Sequence, residues 1–199
     1  LPKSLKFDVA IVGAGFAGMY MLHKLRQLGM SAVVFEAGDD VGGTWYWNRY
    51  PGARCDAESL AYSFSFSPEL EQEWEWSERY APQPEILEYA RHVSRRFDLR
   101  KDIHFETRVT TAHYQDDSLN WHLETDKGHR VVARFCVLDG LRAFDLRDRR
   151  FCFPRSSLAM VAPLASSILP PFLASPPCSV PRRVSIPISI YISTPSHYY

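Results

Sequence analysis

The sequence predicts an α/β fold, a parallel sheet with flanking helices to which an antiparallel β-meander is added. Three observations carry that prediction. An apolar run over residues 7–12 opens into Gly13-x-Gly15-x-x-Gly18, a helical pattern follows, and a second apolar run, Ala32 to Phe35, ends in Glu36. Strand, glycine turn, helix, strand and acid in that order form the context in which such a turn holds a dinucleotide.

Each part of the unit has a physical task. Gly13 turns the chain out of the strand, Gly15 lets backbone approach a pyrophosphate, and Gly18 lets the helix pack close to the sheet. A helix beginning near Phe16 aims unpaired amides, and about half a positive charge, at the phosphates. Met19, Leu22, Leu25 and Leu28 recur at helical spacing as its buried face, with His23, Lys24, Arg26 and Gln27 largely opposite. Gly29 stands where a helix C-terminal glycine belongs. Glu36, 18 residues after Gly18, brings a carboxylate to the end of the second strand. There it accepts hydrogen bonds from ribose hydroxyls and repels a 2′-phosphate, so the site suits FAD or NAD.

The segment Gly42-Gly43-Thr44-Trp45-Tyr46-Trp47-Asn48-Arg49-Tyr50-Pro51-Gly52-Ala53-Arg54-Cys55-Asp56 chooses FAD. A second glycine pair lets backbone pass against a cofactor, and the aromatic rings suit a flat isoalloxazine. A hydrophobic staple under a long loop accounts for Tyr46 or Tyr50 alone, but not for the whole string.

With these residues in place, the chain resembles the amino-terminal FAD-binding part of the Baeyer–Villiger monooxygenases, class B flavin enzymes that convert ketones to esters or lactones. The resemblance covers residues 5–138. It rests on Gly-Ala-Gly-Phe-x-Gly at 13–18, Glu36, the string at 42–56, and Glu-Arg-Tyr-Ala-x-Gln-Pro-Glu-Ile at 78–86. It implies a Rossmann-like domain in which Gly13, Gly15, Phe16, Gly18, Glu36, Gly43, Thr44, Trp45, Tyr46, Trp47, Asp56 and Tyr62 contact FAD, with Val109 near the adenine. It also implies that Arg54, Cys55 and Asp56 face NADPH, and that Asp56 serves catalysis by orienting an arginine absent from this chain. A surface ion pair between Arg54 and Asp56, worth under about 1 kcal/mol, is the plainer alternative. The implied chemistry is hydride transfer from NADPH to flavin, addition of dioxygen at C4a, and attack of the resulting peroxyflavin on a ketone. Two alternatives stand beside it: another class B monooxygenase that oxygenates nitrogen or sulfur, or a truncated FAD-binding product without catalysis.

Beyond the aromatic string, Pro84 to Phe97 reads as a helix with Pro84 in its first turn. Ile86, Ala90, Val93 and Phe97 form its buried stripe, and Arg91, Arg95 and Arg96 a solvated face. Residues 103–137 alternate as a three- or four-strand meander: 103–105, 109–114, 121–123 and 131–137. Turn residues separate the strands at 116–118 and 126–128. Trp74, Trp76 and Trp121 are expected in the core.

After Leu138 the family continues Ala-Thr-Gly, whereas this chain reads Asp139-Gly140-Leu141-Arg142. Residues 149–199 hold no acid, no glycine, five arginines and nine prolines. Prolines interrupt every apolar run there, so residues 141–199 are expected to be an irregular tail after a partial domain at 1–140. The tail resembles translation in a shifted frame or retained non-coding sequence. Gly140 is the only glycine after Gly128, which leaves no second glycine fingerprint for NADPH. The chain alone is therefore expected not to turn over.

Composition narrows the partners. Lysines and arginines number 23 and acids 23, with pI about 7.2, a balance that disfavours nucleic acid and acidic membranes. Four cysteines at 55, 136, 152 and 178 show neither C-x-x-C nor metal spacing, and with a nucleotide fold they indicate a reducing cytoplasm. A small-molecule ketone is the implied substrate, and no metal is expected.

Overall fold

In the computed structural model, residues 4–139 are described throughout, and beyond them only short strands at 151–152, 161–163 and 189–191. The expectation of an irregular tail otherwise lies outside the described residues. Strand β1 (Leu5–Val12) leads through the glycine turn into helix α1 (Phe16–Gln27) and back into β2 (Ala32–Phe35). After a short helix α2 (Thr44–Trp47), a 3-10 turn at Leu60–Tyr62 and helix α3 (Pro68–Glu73), helix α4 (Gln83–Arg96) precedes β3 (Ile103–His104). The chain then builds β4 (Val109–Gln115), β5 (Asn120–Thr125) and β6 (Arg130–Leu138). The sheet has the order β3-β2-β1-β6-β5-β4, extended at its edge by β7 (Phe151–Cys152).

Pairing divides that sheet into two regimes. β3, β2, β1 and β6 run parallel, whereas β4–β5 and β5–β6 are antiparallel. The meander therefore contains three strands, and β6 belongs to both halves. The expectation that residues 103–105 join the meander is corrected: Ile103–His104 pairs parallel with Val34–Phe35 at the opposite edge. Two residues carry no periodicity, so alternation could not assign that pairing.

Alternation along β1 sends Val9 and Ile11 to one core cluster and Ala10 to another, as the strand period of two requires. The first cluster takes Met19, Leu22 and Leu25 from α1 and Ala90 from α4. The second gathers Phe35, Trp121 and Leu123 with residues of the meander. Leu28 departs from expectation: it caps α1 and is 73% exposed. The reason is the helix ending. Gly29 N–H donates to the Arg26 carbonyl and Met30 N–H to the Leu25 carbonyl, a Schellman arrangement that turns the chain away before Leu28 can face the sheet.

Helix α4 buries Ile86, Leu87, Tyr89, Ala90 and Val93. Trp74 and Trp76 pack on Tyr89 at 5.3 and 5.0 Å between centroids, and Trp121 is buried, so all three serve the core. Its arginines are not simply solvated. Arg95 and Arg96 pair with Glu88 and Glu73, and Arg91 reaches Asp40 in the loop after β2. Among the described residues, no helix is long and apolar enough to cross a membrane.

Candidate functional site at the carboxyl rim of the sheet

Parallel register builds the site. Val12 lies beside Phe35 on one side and Leu138 on the other, so the residues that follow, Gly13, Glu36 and Asp139, meet at one rim. Gly13 N–H donates to the Phe35 carbonyl and Asp139 N–H to the Val12 carbonyl, each at 2.8 Å. Open α/β sheets take ligands at this edge.

Two close approaches explain the glycines. A Cβ on Gly18 would strike the Gly13 carbonyl, and one on Gly43 would sit 2.8 Å from Gly15 Cα. The two glycine clusters, 28 residues apart by 43 − 15, therefore touch through backbone. Gly15 is the N-cap of α1 and supplies no side-chain acceptor, so the first amides of the helix lack a cap from their own segment. Such amides bind anions.

Glu36 turns toward this bend. It is 4% exposed, its Oε2 accepts the Ala14 amide at 2.6 Å, and its Oε1 accepts the Gly38 amide at 2.8 Å. Each oxygen retains a lone pair for a ligand hydroxyl. Thr107 N–H donates to the Glu36 carbonyl at 2.8 Å, which ties the segment before β4 to the same rim.

The aromatic string folds as α2 and the loop after it. Trp45 is buried, donates Nε1–H to Tyr62 Oη at 2.8 Å, and meets that ring edge-on at 5.8 Å. Gln83 of α4 donates to the Trp45 carbonyl. Burial, partly offset by the Trp45 hydrogen bond, pushes the Tyr62 phenol up to about 12. Phe16 packs edge-on against Tyr62 at 5.3 Å and stacks on Phe64 at 5.2 Å. Tyr46 donates its hydroxyl to Asp39 at 2.7 Å, a bond that raises its pKa. Trp47 is 58% exposed, and Thr44 is exposed beside it.

The remaining candidates divide. Arg54 and Asp56 do not pair: Arg54 binds Glu78 and the Tyr80 carbonyl, and Asp56 is exposed. The backbone explains this, because Cys55 N–H bonds the Ala81 carbonyl and Arg54 bridges to Pro82, which brings Glu78 within reach. Cys55 is buried, and burial raises its thiol pKa. Val109 is buried in the second cluster. Thus Gly13, Gly15, Gly18, Glu36 and Gly43 converge, Phe16, Trp45 and Tyr62 form a wall beside them, and Arg54 and Asp56 stay at the surface.

Two features escaped the sequence reading. Asp40 holds the loop before Gly42 by accepting from Arg91 Nε at 2.7 Å and Arg100 at 2.6 Å. Burial opposes its ionisation, but those bonds outweigh it and hold the carboxyl below its ordinary range. Asp139 was legible only as a departure from the family pattern. The signal that could have found it is an acid directly after an apolar strand that pairs parallel with β1.

A family model described as an NAD(P)-binding Rossmann-like domain matches residues 11–75. A Baeyer–Villiger monooxygenase from Pseudooceanicola batsensis is 46% identical over 132 residues, covering 66% of this chain and 24% of that protein. A phenazine N-monooxygenase from Lysobacter antibioticus is also 46% identical, over the same shares. Among solved structures, an oxidised steroid monooxygenase bound to NADP is 60% identical with a TM-score of 0.66, covering 67% of this chain and 26% of that one. The chain spans about a quarter of the length of the curated relatives it matches.

Proposed function

We propose that this chain, whose amino-terminal two thirds belongs with the amino-terminal portion of the Baeyer–Villiger monooxygenases, supplies the FAD-binding part of an NADPH-using enzyme that oxidises ketones to esters or lactones. The observation that supports this reading is the meeting of Gly13, Glu36 and Gly43 over the start of α1, which has no cap from its own segment. The residues fit the group, because the cradle is one that any Cβ would fill and its amides lack a local cap.

In this reading the amides at the start of α1, behind Gly13 and Gly15, hold the pyrophosphate; Gly15 permits that approach and Gly18 lets the helix pack close. Glu36, already fixed by the Ala14 and Gly38 amides, accepts ribose hydroxyls. Phe16, Trp45 and Tyr62 form the wall, Gly43 to Trp47 face the flavin, and Val109 lies toward the adenine. Tyr62 stays protonated at Oη; since that oxygen accepts from Trp45, its own hydrogen is left to donate elsewhere. Arg54, Cys55 and Asp56 face the nicotinamide cofactor, with Asp56 orienting an arginine supplied from outside this chain. FAD, when bound, takes the hydride and activates dioxygen. A small ketone is the substrate, and the enzyme works in the cytoplasm without nucleic acid or membrane.

Nitrogen oxygenation is the second reading, favoured by the equal identity of the phenazine N-monooxygenase. Products formed by the full enzyme from a ketone and from an aromatic N-heterocycle separate the two. The flavin reading itself is tested by an equilibrium titration of purified chain with FAD, followed by flavin fluorescence. Weak but saturable binding is expected, and its absence would overturn the reading.

A further inference from the structure

The mouth of α1 already holds an anion. Asp139 Oδ2 accepts the Gly18 amide at 2.9 Å, and the Gly15 amide also bonds this carboxylate. The acid is not on a free arm: its own N–H is bound to the Val12 carbonyl, and Leu138 before it is paired with Val12 in the sheet. A Cβ on Gly15 would lie 2.7 Å from the same oxygen, so the carboxylate stands against the glycine turn itself. A phosphate approaching those amides meets a like charge and loses two donors to it.

We propose that Asp139 is an internal competitor for the phosphate of a dinucleotide, seated on the Gly15 and Gly18 amides and lowering the affinity of the glycine turn. The proposal rests on the dinucleotide reading of that turn. Around the carboxylate, Glu36 at the end of β2 adds negative charge and Tyr62 presents a neutral phenol. The first turn of α1 contributes no acid, and no cation pairs with Asp139 among the described residues. Burial, with Glu36 beside it and against the pull of the amides, raises the Asp139 carboxyl to about 6. Below that pH the competitor loses its charge.

The test compares the chain with Asp139→Asn, which keeps the shape and an acceptor for Gly18 but removes the charge. The probes are inorganic pyrophosphate and FAD, followed by calorimetry and flavin fluorescence at pH 8 and pH 5. At pH 8 the variant is expected to bind both at least about tenfold more tightly, with the gap closing to about twofold at pH 5. In parallel, the Gly18 amide resonance of the parent should move through a midpoint near 6 and stay flat in the variant. Equal affinities at pH 8, or a gap indifferent to pH, overturn the proposal. A pyrophosphate gap with no FAD binding to either chain upholds it and removes the flavin reading. Failure of both chains to hold either probe removes both.

Discussion

Glu36 shows how much one side chain can do before any ligand arrives. Its two oxygens gather amides from the glycine turn and from the loop after β2, so it organises the rim it would serve. Glu36→Ala should cost about 3 kcal/mol of stability in urea denaturation, since two buried amides lose a charged acceptor. Gly15 has a different role. Gly15→Ala places a methyl against Asp139 and near Gly43, and FAD affinity should fall by about tenfold or more in a fluorescence titration while the backbone, extended at φ −74 and ψ −172, accepts it. Both residues were legible in sequence because glycine spacing and an acid after a strand are local signals. Asp139 and Asp40 were not, because their meaning depends on partners such as Gly18 and Arg100 that only the tertiary fold brings near.

At the scale of elements, long periodic segments were read correctly and short ones were not. The α1 pattern gave Met19, Leu22 and Leu25 their buried places, and α4 lies within a residue of its expected limits. Strand β3, two residues long, has too little pattern to reveal its partner, and Leu28 obeyed the helix ending instead of the period. Helix α4 also has a polar tie that periodicity hides: the Tyr89 hydroxyl accepts the Phe64 amide at 2.8 Å inside the core. Tyr89→Phe should leave that amide unpartnered and cost about 1–3 kcal/mol by thermal or urea unfolding.

For the molecule as a whole, two half-buried carboxylates give stability opposite slopes with pH. Asp139, raised to about 6 from an ordinary 3.8, binds its proton more tightly when folded, so stability declines as pH climbs through that window. Asp40 is held below its ordinary range, so its contribution is complete above pH 3.8 and is lost on further acidification. The two groups together therefore place the peak of melting temperature near pH 4, and Asp139→Asn should flatten the fall between about pH 4 and 6 in a fluorimetric pH series.

The central pairing of β1 with β6 has a consequence for synthesis. Leu5 pairs with Val131, a separation of 131 − 5 = 126 residues, so on the ribosome β1 keeps one bare hydrogen-bonding edge until the last strand of the parallel set has emerged. An unpaired apolar edge of that kind invites other nascent chains. Slow elongation between codons 35 and 131 would lengthen that exposure, and a chaperone that shields strand edges during translation is the remedy it calls for.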